Sequence, residues 1–372
     1  MNHSSIIEAR NLKVKRGGTI QLDISSLSVG EGEVVSLIGP NGAGKTTLLQ
    51  TLSCLITPVT GEILFRGRKV NSTASTLEYR RKIAMVFQEP LLFDTTVFNN
   101  VAAGLRIRRM KKSQVRDIVA EHLERFGIAH LGDRSARTLS GGEAQRTSLA
   151  RAFAIQPEIL LLDEPFASLD PPSRESLLGD LERVLRQTQT TTVFATHDRL
   201  EALRLSDRIA VMSDGKILQV GSPEEVMNHP VDEFVASFVG VETILSGKVI
   251  EKDVGTFVAS VHGQEIEAVG DPGLGEAIAL CIRPENVTLS TNPFRESTSA
   301  RNVFSGRIRR VTSLGLYQKI ELQCGFPLVA YVTNHAVEEL SLEEGKEVKA
   351  SFKATAIHVV RRGDKTKGWE RN

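Results

Sequence analysis

Eight residues constrain this chain more than any others: Gly39-Pro40-Asn41-Gly42-Ala43-Gly44-Lys45-Thr46. They follow the apolar run Val34-Val35-Ser36-Leu37-Ile38 and lead into a helical segment over 48–55. Such a run is what a buried parallel strand requires. The pattern G-x-x-x-x-G-K-[ST] between a strand and a helix is the phosphate-binding loop. Its glycines let backbone N–H groups converge on phosphate oxygens without a Cβ in the way, and the helix start adds a favourable dipole. Lys45 is expected to reach the β- and γ-phosphates of ATP. The Thr46 hydroxyl is expected on Mg²⁺, with Thr47 beside it on phosphate. A plain Gly-rich turn would explain the glycines but not their place between strand and helix.

Ile159-Leu160-Leu161-Leu162-Asp163-Glu164 supplies the complementary half. Four apolar residues bury a strand and two carboxylates emerge at its end. Asp163 reads as the carboxylate on the metal side, and Glu164 as the group that polarises an attacking water. Many buried strands end in an acidic loop for solvation alone, so the pairing with the phosphate loop gives this one its meaning. Residues 1 to about 60 read as short strands, the turn and a helix. Further strands are expected at 193–196 and 209–213, and helical periodicity runs over 115–126 and 143–155. Strands alternating with helices predict a mainly parallel α/β sheet.

The chain has 372 residues, enough for two domains, with 41% apolar and 24% charged residues. Lys plus Arg is 46 against 45 Asp plus Glu. This near-neutrality gives no general affinity for nucleic acid. No run of about 18 apolar residues is present to span a bilayer, and the N-terminus carries no cleavable leader pattern. Cys54, Cys281 and Cys324 are scattered without metal spacing and suit a reducing compartment. From residue 239 the texture becomes β-rich, with runs at 247–250, 256–261, 278–282, 306–311, 319–322, 328–332 and 348–352 between turn residues. That spacing predicts a small all-β barrel over 239–372. Ser246-Gly247-Lys248-Val249 and Ser305-Gly306-Arg307-Ile308 begin alike, by duplication of a strand motif or by chance. The tail after Arg361 is polar.

Leu139-Ser140-Gly141-Gly142-Glu143 lies between the two phosphate motifs. Locally it is an N-capped helix start with nearby Glu. In that position it resembles the signature of the ABC ATPase family. The resemblance implies a P-loop NTPase domain over 1–238 with a helical subdomain at about 89–155. It implies a homodimer stacked head to tail, in which Ser140, Gly141 and Gly142 of one subunit face the nucleotide of the other. Three more positions match in order. Gln88 matches the Q-loop glutamine, which touches Mg²⁺ or water. Ser168-Leu169-Asp170 matches the D-loop, with Asp170 at the dimer seam. His197 matches the switch histidine, expected on the γ-phosphate and Glu164. One position departs: where the family has an adenine-stacking aromatic, this chain has Arg16, whose guanidinium can stack on a base.

The stretch from Thr196-His197-Asp198 to Val239-Gly240 resembles the importer branch, and Ile282-Arg283-Pro284-Glu285-Asn286-Val287 resembles the OB-like TOBE regulatory domain of importer ATPases. This implies permease subunits, an external substrate-binding protein, and a place on the cytoplasmic side of the membrane. Ser299-Ala300-Arg301-Asn302, the stretch 324–330, the stretch 350–355 and the stretch 89–94 look like those of molybdate and tungstate importers. Ser299, Arg301, Asn302 and Lys353 are thus candidates to hold a regulatory oxyanion. Sulfate, iron(III) and polyamine importers share the architecture and stay open as alternatives. A soluble ABC ATPase acting on nucleic acid or ribosomes is the alternative of another class, but no second cassette, long coiled coil or zinc ligand set is visible. Arg106, Arg108, Arg109, Lys111 and Lys112 form a basic run that reads foremost as a solvated helix face.

Overall fold

The computed structural model describes residues 5–291 and 299–362, and of Arg16 only the backbone. Residues 1–4, 292–298 and 363–372, including nearly all of the polar tail, lie outside the described residues. The chain divides into two compact units, Met1–Pro223 and Glu224–Asn372.

The first unit runs β1 (Ser5–Arg16), β2 (Thr19–Gly30), β3 (Val34–Ile38), α1 (Lys45–Leu52), β4 (Thr60–Phe65), β5 (Arg68–Lys69), α2 (Thr73–Arg81), β6 (Ile83–Val86), α3 (Val97–Ile107), α4 (Lys112–Arg125), α5 (Gly141–Ala154), β7 (Ile159–Asp163), α6 (Pro171–Thr188), β8 (Thr191–Thr196), α7 (Arg199–Leu205), β9 (Arg208–Ser213) and β10 (Lys216–Gly221). Its central sheet has the order β10-β9-β3-β8-β7-β6. All pairs are parallel except the edge pair β9–β10. Strands β3, β7 and β8 are buried along their whole length, because both faces are covered. Alternation decides which side chain serves which face. Leu160, Leu162 and Phe194 join α3–α6 in one core, whereas Ile159, Leu161, Val193 and Ala195 join α1 and the N-terminal strands in another. Each such buried leucine stabilises the unit by about 1.5–3 kcal/mol.

Two features of this unit differ from the sequence reading. β1 and β2 are not short: they are twelve-residue antiparallel partners in a second sheet, β2-β1-β4-β5. Lysines between the apolar positions conceal the strand, since Leu12 and Val14 are buried while Lys15 points to water. Helix α3, absent from the periodic segments singled out above, packs Val97, Val101 and Leu105 into the helical layer with Val119, Leu123 and Phe153.

The second unit begins with α8 (Pro223–Asn228) and α9 (Glu233–Phe238) and continues with β11 (Thr243–Asp253), β12 (Thr256–Val261), β13 (Gln264–Val269), β14 (Ala277–Ile282), β15 (Thr288–Ser290), β16 (Asn302–Ser313), β17 (Tyr317–Gln323), β18 (Pro327–Thr333), α10 (Asn334–Glu339), β19 (Glu347–Phe352) and β20 (Ile357–Arg361). The division thus falls before the expected residue 238, because Ala236 of α9 shares a core cluster with Val241, Ala279, Cys281 and Val360. Strands β13, β15 and β20 lie outside the runs read from the sequence.

This unit is a duplicated motif. Its two sheets have the orders β13-β12-β11-β14-β20 and β15-β19-β16-β17-β18. Gly247 pairs with Ile278 as Gly306 pairs with Val348. The register shifts at Val249/Glu251 and again at Ile308/Arg310, the corresponding places. The edge strands are exchanged: β15 pairs with β19, and β20 with β14. The repeats are stitched reciprocally. Thr243 Oγ1 accepts from the Val329 N–H at 3.0 Å, and Asn302 exchanges two 2.9 Å hydrogen bonds with the backbone of Glu267.

Candidate functional site

The parallel strands β3, β7 and β8 end side by side, and their C-terminal ends deliver the candidate residues. Ligands bind at this edge of open α/β sheets. After β3 the chain turns through Gly39–Gly44 into α1. A Cβ on Gly39 would stand 2.3 Å from the Met212 carbonyl oxygen, so no side chain fits. Gly44 caps α1 with φ 99°, a left-handed conformation that glycine adopts without strain. Lys45 is buried, and its Nζ donates to the carbonyls of Gly39 at 2.8 Å and Pro40 at 3.2 Å. Its ammonium also lies 3.5 Å from Glu164 Oε1.

Strand β7 ends in Asp163, which accepts a 2.9 Å hydrogen bond from the Thr46 hydroxyl. Burial pushes the Asp163 carboxyl above its usual range and the neighbouring charge of Glu164 adds to this, while the Thr46 hydroxyl and Lys45 work against it. A buried carboxylate beside a hydroxyl is a hard-oxygen set that suits Mg²⁺, an ion that takes one or two carboxylates plus substrate phosphates. Among the described residues no group of three or more His, Cys, Asp or Glu is placed to hold a metal ion. Glu164 is held by its N–H to the Ala195 carbonyl at 3.0 Å. Its Oε2 lies 3.0 Å from His197 Nδ1, beyond the end of β8. The His197 side chain is about half exposed and that of Glu164 largely covered.

One cleft of about 860 Å³ has Asn41, Gly42, Ala43, Gly44, Lys45, Thr46, Thr47, Gln88, Glu164 and His197 on its walls, whereas Gly39, Pro40 and Asp163 do not line it. Thr19, Ile20, Gln21, Ala167, Asp214 and Gly215 also line it, and the sequence reading missed them. Ile20 is 54% exposed, an apolar side chain at the cleft. Its signal was an isoleucine two residues after the Gly17-Gly18 turn, at the start of β2 and flanked by Thr19 and Gln21. The side chain of Arg16, the candidate for base stacking, lies outside what is described.

Behind His197 sits a charged network that no motif announced. Arg174 of α6 donates to Glu201 Oε1 at 2.8 and 2.6 Å and to Asp198 Oδ2 at 2.5 Å. The Thr196 hydroxyl donates to the other Glu201 oxygen. Asp198 also caps α7 through the N–H groups of Leu200 and Glu201. Burial holds the Glu201 carboxyl above its usual range despite Arg174 and Thr196, whereas Asp198 is drawn below its range by backbone N–H groups and Arg174 against the cost of burial.

Ser140, Gly141, Gly142 and Asp170 stand outside this cleft. Ser140 caps α5, accepting from the Glu143 N–H while Glu143 accepts from the Ser140 N–H, a reciprocal capping box. Asp170 caps α6 by accepting from the Ser173 N–H at 2.8 Å. In the second unit Ser299, Arg301 and Lys353 are exposed. Asn302 is 2% exposed with its amide engaged by Glu267, which removes it from the donors an anion in solvent can meet.

A phosphate loop, a carboxylate beside its threonine and a Glu–His pair at the mouth are the working parts of a P-loop ATPase. Residues 22–167 match the ABC transporter family and residues 298–359 the TOBE domain. The molybdate/tungstate import ATP-binding protein of Pyrococcus horikoshii is 38% identical over 336 residues, 90% of this chain and 94% of that protein. The spermidine/putrescine import ATP-binding protein of Spiroplasma citri is 36% identical over 361 residues, 96% of this chain and 98% of that one. The solved structure of cbiO1 from Clostridium perfringens, part of an ABC transporter complex, superposes with a TM-score of 0.57 at 30% identity, covering 64% of this chain and 96% of that one. The chain belongs to the ATP-binding subunits of ABC importers, ATPases coupled to transport, and carries a C-terminal TOBE domain. None of its described helices is long and apolar enough to cross a membrane.

Proposed function

We propose that this ATPase energises uptake of an oxyanion, molybdate or tungstate, working as a homodimer on the cytoplasmic face of a permease fed by an external binding protein. The observation that carries the catalytic part is the convergence of Lys45, Glu164 and His197 at the mouth of the phosphate loop. Lys45 and the loop amides hold the β- and γ-phosphates. Thr46, Asp163 and the Gln88 amide would hold Mg²⁺, which would neutralise phosphate charge. Glu164 accepts a hydrogen bond from the attacking water, and His197 fixes Glu164 and meets the γ-phosphate. Water adds to the γ-phosphorus as the bond to the ADP oxygen breaks, giving ADP and phosphate. Ser140, Gly141 and Gly142 serve the nucleotide of a second copy, and their separation from the cleft within one chain supports that role. Ile20 provides the apolar contact for the adenine ring where relatives use an aromatic.

The substrate reading rests on the likeness to the molybdate/tungstate relative and on exposed Arg301 and Lys353. A polyamine importer is the second reading, favoured by the nearly full-length likeness to the spermidine/putrescine relative. Uptake into proteoliposomes containing the whole transporter tests both. ATP-driven accumulation of molybdate or tungstate, lost with Glu164→Gln, is the expected result. Accumulation of spermidine or sulfate in their place would overturn the substrate and leave the ATPase reading intact.

A further inference from the structure

We infer that Asp214, with Gln21 beside it, recognises the ribose hydroxyls of the nucleotide and so determines which sugar the cleft accepts. Both residues line the cleft of about 860 Å³ but belong to neither phosphate motif. Asp214 and Gly215 form the two-residue loop of the β9–β10 hairpin, in which Ser213 pairs with Lys216. Their φ angles of 48° and 74° are both left-handed, as a tight hairpin turn requires, and Asn, Asp and Gly are the residues that adopt it. The turn therefore explains a small polar residue at 214. It does not explain a carboxylate in a cleft that takes a polyanion, where a negative charge is unfavourable unless it meets a donor.

The turn is fixed against the phosphate loop. The Gly215 N–H donates to the Ala43 carbonyl at 3.0 Å, and the Asp23 N–H donates to the Gly215 carbonyl at 2.8 Å. A Cβ on Gly215 would stand 2.2 Å from the Gln21 carbonyl oxygen, and one on Gly44 would stand 3.3 Å from the Gly215 Cα. The Glu164–His197 pair marks the γ-phosphate end of the cleft, and Ile20 the adenine contact proposed above. The sugar lies between phosphates and base, next to the residues Ala43 and Gly44 that hold this turn. Both side chains are exposed and available. Asp214 Oδ2 accepts only a long 3.2 Å hydrogen bond from the Ser213 hydroxyl. Among the described residues no ion pair engages Asp214 and no hydrogen bond engages the Gln21 side chain. A carboxylate offers two acceptor oxygens, and the adjacent 2′- and 3′-hydroxyls are a matched pair of donors. The Gln21 amide can accept from or donate to the same hydroxyls. The inference rests on nucleotide binding in the cleft and not on the transported substrate.

The test titrates nucleoside diphosphates calorimetrically into the full-length protein at constant Mg²⁺, so that hydrolysis plays no part. ADP, 2′,3′-dideoxy-ADP and GDP are compared in the wild type, Asp214→Asn and Gln21→Leu. The asparagine substitution keeps the preference for the turn and removes the charge. Wild type should bind dideoxy-ADP about tenfold more weakly than ADP, the size of a hydrogen bond to a charged group. In Asp214→Asn that ratio should shrink to about twofold. ADP then binds more weakly, while dideoxy-ADP, relieved of a negative charge it cannot use, binds no worse. Gln21→Leu should reduce the ratio in the same direction, and a ratio it leaves untouched overturns the part assigned to Gln21. The GDP-to-ADP ratio should stay constant in both variants, since a group that reads the sugar is indifferent to the base. Equal binding of ADP and its dideoxy analogue by the wild type overturns the inference. So does a parallel loss of both in Asp214→Asn, which is what a damaged turn would give, and so does a shift in the GDP-to-ADP ratio.

Discussion

Glu164 and His197 are joined by one 3.0 Å contact, and the two residues that flank His197 in the chain, Thr196 and Asp198, are tied to Glu201 and Arg174. Removing Arg174 leaves a largely buried Glu201 without its cation, a loss of about 2 kcal/mol for charged hydrogen bonds. We expect Arg174→Met to lower kcat of the assembled transporter by about tenfold while the KM for ATP changes little, because the phosphate loop is untouched. Steady-state kinetics check this, and a rise in KM at constant kcat would refute a positioning role. Ile20→Ala should do the reverse, raising the KM for ATP several-fold with kcat retained, through lost apolar contact of about 1–2 kcal/mol. The residues of the Gly39–Thr46 loop were legible in the sequence because phosphate chemistry demands fixed types at fixed spacing. Arg174 was not legible: its partners lie 24 and 27 positions away, and the fold alone brings them together. Ile20 escaped for a related reason, since a single apolar side chain at the wall of a cleft imposes no motif.

Among the elements, α5 depends on its first turn. Ser140 and Glu143 satisfy each other's backbone N–H groups, so Ser140→Ala should destabilise the helical layer by about 1 kcal/mol. The Ser140 N–H holds the Glu143 carboxyl below its ordinary range against the cost of burial, helped by the Ser140 hydroxyl and the charges of Arg134 and His130. A depressed carboxylate pKa means that this contribution is complete above the ordinary value of 4.5 and is lost as pH falls through the lowered one. Hydrogen exchange of the α5 amides should accelerate in that acidic window in the wild type, and the step should disappear in Glu143→Gln. An unchanged step in the variant would assign it to another group. Buried parallel strands such as β3 and β7 declared themselves by unbroken apolar runs, and α4 and α5 by their period. The paired β1 and β2 did not, because one-sided burial with lysines between the apolar positions dilutes the signal. The exchanged strands β15 and β20 escaped because each pairs within the other repeat, a relation no local window contains.

At the scale of the whole molecule, the separation of Ser140, Gly141 and Gly142 from the cleft that holds Lys45 has a consequence that a monomeric ATPase does not share. If each active site joins the phosphate loop of one subunit to the signature of another, two different defects can complement. Lys45→Ala disables one loop. Gly142→Asp places a negative charge in the signature at a helix start that accepts acidic residues, and the nearest atoms to a Cβ there stand at 3.7 Å, ordinary contact distance. Each variant alone should be nearly inactive. In a mixed dimer, however, the intact loop of the Gly142→Asp subunit meets the intact signature of the Lys45→Ala subunit, and one complete site is restored. The ATPase rate of transporters assembled from both variants should therefore exceed the sum of the two separately assembled variants, up to the share of mixed dimers formed. A site contained within one chain predicts strict additivity, because both of its versions are then broken in every subunit. The same mixture discriminates a second way: doubling the defect in one chain, Lys45→Ala with Gly142→Asp, and pairing it with wild type leaves no complete composite site, but leaves one complete site if each chain acts alone.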